Sequence, residues 1–410
     1  MVDASENDLL KSKIYIIITL FSIIVTLLVY RSNFFIPQIA LMFLSPYLLF
    51  KEKVLEIDRL PVVLIFVILL TSMLHPDSFR IATVGYSILY ITTYLYYTCT
   101  LNKCVIEPSN FQTLLKRIIQ AYAVVLTIQL LSRLIGLDYV LNASYNTEEG
   151  FKFNSLTFEA SQIGPIITIL MFAYLKIDEI VLGRTMTFGD LVNKKNKTVF
   201  FAYVFTSLFS LSVTTYFSLL VFLLYFVRLR YIIIGAITLT TGIIVFFALG
   251  TDTGNRILAL LEVIPSLDVQ TIYKADSSAS ARIAPILIFF KEFDLLSFNT
   301  WFGYGCDYGN LHIWHELIGD ESSDESLAVV GIFGFIYDYG IIAFSVFIKF
   351  ILSLCKFKSH MFFIYMTCFF LTGFNMASTW LFFMLVYTLN YFEGIEYGKK
   401  NIDNYSHIQC

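Results

Sequence analysis

The sequence predicts an all-α polytopic membrane protein, with about twelve transmembrane helices and one large loop on the outer side. Three observations carry that prediction. The chain is 57% hydrophobic and only 14% charged, with a mean hydropathy of +0.73, whereas a soluble domain carries about 25% charged residues. Its 41 Phe and 26 Tyr are more apolar surface than a soluble core of this size can hide. The basic residues alternate between the two sides of the apolar runs, as the positive-inside rule requires.

A span needs roughly 20 mostly apolar residues. Such runs lie at 14–30, 34–50, 60–75, 80–101, 118–136, 163–181, 198–212, 214–228, 231–249, 327–355, 360–376 and 377–393. The pair across 198–228 reads either as two short spans meeting at Ser212 to Thr215 or as one long broken helix. With the N-terminus inside, the inner segments hold Lys51, Lys53, Arg59, Lys103, Lys116, Arg117, the basic cluster from Lys176 to Lys197, Arg228, Arg230, Lys356, Lys358, Lys399 and Lys400. The short outer links hold little charge. An even number of spans preserves this alternation and puts both termini inside. The first apolar run lacks a small-residue cleavage site and reads as a span, not a leader.

Composition excludes other classes. A net charge of −3 offers nothing to nucleic acid. The six cysteines have no framework spacing, and only Cys306 falls on the outer side. No P-loop, strand-borne GxGxxG or GxSxG is present. No cofactor is expected, and the chain reads as a single integral membrane domain, 1–410, with an inner tail at 394–410.

Two outer segments are long enough to work: 133–162 and 250–326. The second is the one long interval where charged residues concentrate. A loop of that length needs helices of its own. Residues 279–290 are apolar at helical spacing, and the aromatic, glycine-rich 296–310 predicts an irregular turn.

Four constellations could carry chemistry. At 154–164, NSLTFEASQIG, Glu159 stands at the mouth of a span. A carboxylate near hydrocarbon, costly by up to on the order of 3 kcal/mol, would suit a general base; equally, it is an acid favoured at a helix N-terminus. The outer arginines Arg133, Arg256 and Arg282 could fork onto phosphate or pair with nearby acids. His312 and His315 have HxxH spacing and so could share one helix face. No HExxH is present and no metal is expected; proton transfer, a sugar hydrogen bond or a solvated loop all fit. Trp301 and Trp314 could stack on sugar or sit at the bilayer interface. Finally, Asp338 lies within an apolar run too long for one span. The cheaper arrangement keeps the first part of that run as an outer half-helix and starts the span near Tyr339.

In this pattern the chain resembles the O-antigen polymerase (Wzy) family of the wider polymerase/ligase superfamily. Topology carries the resemblance over nearly the whole length. Locally, FEAS at 158–161 is similar to that family's Glu-Pro/Ala-Ser signature before a span. Arg282 with the later WFGYG at 301–305 is similar to its Arg…GxG passage, and Tyr337 to Ile342 resemble its acidic–x–Gly re-entry. Two features depart from the pattern. AVVG at 328–331 stands where ligases carry a His-Asn, and no paired Arg-x10-Gly repeat follows Arg282.

The resemblance implies a GT-C-like, hexosyltransferase-type glycosyltransferase of a bacterial inner membrane. It would join repeat units carried on undecaprenyl pyrophosphate at the periplasmic face, in lipopolysaccharide biosynthesis. Arg282, with Arg256 and Arg133, would hold the pyrophosphate. Glu159 and Arg282 would be catalytic, and Trp301, Trp314, His312 and His315 would bind sugar. Membrane lipid, a chain-length regulator and a flippase are the implied partners. An O-antigen ligase acting on lipid A–core is the near alternative, and a polysaccharide flippase the more distant one.

Overall fold

The computed structural model describes residues 6–24, 36–52, 58–104, 106–137, 153–157, 159–226, 259, 261–275, 277–306, 308–309, 312, 331–355 and 373–406. Among these, every regular element is helical. The long helices are α1 (Glu6–Ile24), α2 (Ile36–Lys51), α3 (Arg59–Leu74), α4 (Ile81–Lys103), α5 (Pro108–Leu134) and α6 (Ala160–Leu182). A short α7 (Phe188–Leu191) precedes α8 (Lys197–Phe209) and α9 (Val213–Leu224). Then come α10 (Val269–Ala275), α11 (Ser277–Glu292), α12 (Phe298–Phe302), α13 (Gly331–Leu354) and α14 (Ala377–Ser406).

Three helices form the axis. In α4, residues 93–101 are all buried; in α6, residues 163–175; in α14, residues 378–386. A helix apolar on every side is a core helix. Around them, α4 packs on α1, α2, α3 and α14, and α6 packs on α5, α8, α9 and α14. Aromatic rings fill the joints: Trp380 lies parallel to Tyr90 at 6.4 Å and meets Phe383 at 5.4 Å. Some interior hydroxyls find partners across helices, as in Tyr97 Oη with Thr388 Oγ1 at 2.8 Å and Ser87 Oγ donating to Asn375 Oδ1 at 2.6 Å.

The peripheral helices expose apolar stripes at three- and four-residue spacing. On α1 these are Leu10, Ile14, Ile17 and Phe21; on α3, Val63, Phe66, Leu70 and Met73; on α5, Val124, Ile128 and Leu131. Water would penalise such faces, whereas hydrocarbon does not. Among the described residues, two helices are long and apolar enough to cross a membrane, Pro108–Leu134 and Gly331–Leu354. Shorter apolar helices cover Arg59–Leu74, Lys197–Phe209 and Thr214–Leu223.

Helices stand at ten of the predicted runs. The runs at 231–249 and 360–376 lie outside the described residues, apart from a turn at 373–376. The ambiguous 198–228 region is two helices, reversed at Leu211, whose φ of 55° is left-handed. Several boundaries differ from expectation, and α1 starts at Glu6, eight residues before its apolar run. Helix α5 starts at Pro108, ten residues before the apolar run, because Pro at the first position initiates a helix irrespective of hydropathy. Helix α14 continues to Ser406, through most of the expected tail.

Where α6 ends, Lys195 Nζ meets the buried Asp178 carboxylate at 2.5 Å and Arg184 forks onto Asp190 at 2.8 and 2.9 Å. That arginine holds the half-buried Asp190 carboxyl well below the usual carboxylate range. The four described cysteines, Cys99, Cys104, Cys306 and Cys355, are buried.

Candidate functional site

The site is assembled around a break in α13. At Gly340 the backbone leaves the helix with φ 78° and ψ 174°, a region open essentially only to glycine. A break strands the carbonyls that the next turn would have used. Here the glycine-rich turn after α12 supplies the missing donors. Tyr304 N donates to Tyr337 O at 2.9 Å, and Gly305 N donates to Asp338 O at 3.0 Å. The approach is so close that side chains are excluded on both sides. A Cβ on Gly303 would lie 2.2 Å from Asp338 O, and one on Gly340 would lie 2.3 Å from Trp301 O.

A third segment closes the junction, the turn between α3 and α4. Ser78 Oγ donates to Tyr304 O at 2.9 Å, and Arg80 N donates to Cys306 Sγ at 3.3 Å. Gly305, with φ 112°, has no room for a Cβ, which would fall 1.7 Å from Ser78 Oγ. The His75 ring hydrogen-bonds to the backbone of Gly303, while burial holds its pKa below the ordinary imidazole value. Its Nε2 is buried without a partner.

Ionisable groups converge on this frame. Glu292, at the end of α11, bonds His312 Nε2 through Oε1 at 3.0 Å and accepts from Tyr337 Oη through Oε2 at 2.7 Å. Asp338, half-buried, accepts from Gly309 N through Oδ1 at 2.9 Å. Four rings stack across the same surface: Tyr304 on Tyr337 at 4.6 Å, Tyr304 on Tyr308 at 5.1 Å and Tyr308 on His312 at 5.2 Å. Burial, and then the Glu292 charge, raise the phenol pKa values of Tyr304 and Tyr308. These phenols therefore stay neutral donors. Glu292 with His312 has the geometry of an orienting carboxylate and a general base, since a bond at Nε2 leaves Nδ1 to take a proton.

The predicted site residues are distributed as follows. Arg282 is on α11, which packs on α10 and on the first part of α13. His312 belongs to the Glu292 pair. Trp301 exposes its ring, but its indole N–H donates to Leu295 O at 2.9 Å. Arg256, Trp314 and His315 lie outside the described residues.

Glu159 precedes α6 and is exposed, so the burial that favours a general base is not found; its side chain makes no cap bond. The turn that carries it is nonetheless firmly built. Gln129 Nε2 donates to Asn154 Oδ1 at 2.8 Å, Ser155 Oγ to Tyr122 O at 2.7 Å, and Thr157 Oγ1 to Glu159 O at 2.8 Å. Arg133 is exposed on the last turn of α5, just beyond Gln129, so the α5–α6 packing brings Arg133 and Glu159 to one end of the bundle. Helices α6 and α11 have different principal packing partners, so Glu159 and Arg282 are carried by separate parts of the fold.

Compared with protein-family models, curated proteins and solved structures, the chain matches none. The geometry of its own residues is therefore what speaks to function.

Sequence reasoning left Glu292 and Tyr337 without a role. A signal was present in the ring residues: Tyr304, Tyr308 and His312 recur every fourth position. Helical spacing of that kind puts the rings on one face. Glu292 gave no such signal, because its partners are brought to it only by the fold. Among the described residues, no three or more metal-ligating side chains come together.

Proposed function

We propose that this chain is an O-antigen polymerase-type glycosyltransferase, using polyprenyl-pyrophosphate-linked sugars at the outer face of a bacterial inner membrane. Twelve spans, inner termini and a periplasmic loop belong to the same reading. The observation that carries it is the broken helix at Gly340. An irregular backbone flanked by apolar helix is tolerated only where protein or an aqueous cavity satisfies it. Here the Glu292–His312 pair and Asp338 meet at the break, and Arg282 is carried by the same helix as Glu292.

In this reading the acceptor hydroxyl attacks the anomeric carbon of the donor sugar. The new C–O bond forms as the bond from that carbon to the diphosphate oxygen breaks. The hydroxyl proton passes to a base, and the lipid diphosphate leaves with the electron pair. Arg282, with Arg256 and Arg133, neutralises that diphosphate, because a fixed guanidinium needs no proton transfer to hold charge. Glu159 orients or deprotonates the acceptor hydroxyl. The Glu292–His312 pair is a second base of suitable geometry. His312, His315 and Trp314 are the further sugar contacts.

Substituting alanine for Arg282 tests the assignment. Loss of a preorganised donor of this type costs about 10²–10³ in rate. Long O-antigen should collapse to short ladders at parental protein level, and R282K should not restore it, because lysine lacks the fork. A normal ladder in R282A would remove the arginine from the mechanism.

One observation favours the ligase as a second reading. His312 is remote in sequence from Asp338, yet it stacks near Tyr337 with ring centroids 6.1 Å apart. A histidine thus stands beside the acidic–x–Gly turn after all. A deletion strain separates the two: single-repeat capped lipopolysaccharide indicates a polymerase, and uncapped core with retained lipid-linked polymer indicates a ligase.

A further inference from the structure

The tip between α11 and α12 is apolar, exposed and rigid. Leu296 is 94% exposed, and Leu295, Phe298 and Trp301 beside it are exposed as well. Loops of soluble proteins that show such residues leave their backbone groups to water. This tip instead satisfies its own. Leu296 N donates to Asp294 Oδ1 at 2.9 Å, Ser297 N to Asp294 O at 3.1 Å, Thr300 Oγ1 to Asp294 O at 2.6 Å, and Trp301 Nε1 to Leu295 O at 2.9 Å. Internal satisfaction of polar groups is what entry into an apolar phase demands.

The position of the tip points the same way. Phe298 faces His75 with ring centroids 6.4 Å apart, and His75 is the residue directly after α3. The exposed apolar stripe of α3 runs through Phe66 and Leu70 to Met73. Phe79 and Ile81, exposed in the following turn and at the start of α4, extend the apolar surface from there to the tip. The tip is therefore continuous with the face that the bundle presents to its surroundings. The exposed Asp294 and Lys291 at its base suit a headgroup level, with the apolar residues about 5–10 Å deeper.

We propose that the Leu295–Leu296 tip, with Phe298 and Trp301, is a membrane-interface anchor that inserts into the outer leaflet. Its occupant is bilayer acyl chain. The anchor would hold the turn at 303–306, and through it the break at Gly340, at a fixed height relative to lipid-linked substrate. The inference rests on the membrane reading of the helical bundle.

The test is site-specific photocrosslinking of the full chain in nanodiscs of synthetic phosphatidylethanolamine and phosphatidylglycerol. Leu296 is replaced by p-benzoylphenylalanine in one sample and Phe66 on α3 in another. Mass spectrometry should find acyl-chain adducts at both positions, with yields of the same order. L295D, introduced into both samples, should lower the position-296 adduct several-fold and leave the position-66 adduct unchanged. Adducts at 66 alone would overturn the anchor and leave the membrane reading intact. Adducts at neither would overturn both. A protein-to-protein crosslink from 296 in place of the lipid adduct would show that a second copy covers the tip, and would also overturn the anchor.

Discussion

Substituting alanine for Gly340 is the sharpest perturbation of the junction. The residue sits at φ 78°, ψ 174°, where a side chain costs about 1–3 kcal/mol in backbone strain alone. The added methyl would lie 2.3 Å from Trp301 O and 2.4 Å from Gly303 N. Both are backbone atoms, so the whole turn must retreat. That removes the bonds from Tyr304 N and Gly305 N to the freed carbonyls, worth about 1 kcal/mol each. Together, about 3–5 kcal/mol is lost from the docked state. Alanine also favours a straight helix by about 1 kcal/mol over glycine. The failure should therefore be local, with the helix healed and the turn released. Cys306, fully buried under Ser78 and Arg80, reports this directly. In the G340A variant an impermeant maleimide should label Cys306 at least tenfold faster than in the parent, with helix content unchanged by circular dichroism. Adding C306S assigns the signal. G85A is the control, since no atom lies within 4 Å of its added Cβ, and it should label like the parent. Parental protection of Cys306 in G340A would refute the reasoning.

Other expectations follow from the same geometry. In E292Q the shape is kept but the carboxylate facing His312 and Tyr337 is neutralised; sugar transfer should fall about 10²–10⁴-fold, the usual worth of a general base, measured on lipid-linked donor at saturating acceptor. For His75 the sign is fixed by burial. Its folded pKa lies below the unfolded value near 6.5, so the unfolded chain binds more protons as pH falls through 6.5. Stability of the junction is full above that pH and declines below it. Labelling of Cys306, divided at each pH by the labelling rate of an exposed thiol because only the thiolate reacts, should therefore rise between about pH 6.5 and 5 in the parent, and much less in H75F; a pH-independent normalised rate in the parent would remove His75 from the junction's energetics.

Much of the helical frame was legible because apolar runs are a direct record of burial. The break was legible for the same reason. An aspartate in the middle of a thirty-residue apolar stretch is expensive unless the helix stops there, and the observed break at Gly340 lies one residue from the expected start at Tyr339. The limits of α5 and α14 were not legible, since hydropathy marks where hydrocarbon ends and not where hydrogen bonding does. The Glu292–His312–Tyr337 set was hidden for another reason. Its members come from α11, from the segment after α12 and from α13, and nothing local encodes their meeting. Glu159 is the opposite case. Its motif stood out, but the fold exposes the side chain and buries instead the Gln129–Asn154–Ser155 network that holds its turn.

Reconstitution tests the central claim most directly. The purified chain, in vesicles with lipid-linked repeat units as the sole substrate, should yield longer lipid-linked oligosaccharides and release polyprenyl diphosphate in equal number to the bonds formed. Units that remain single while full-length, folded protein is present would contradict it.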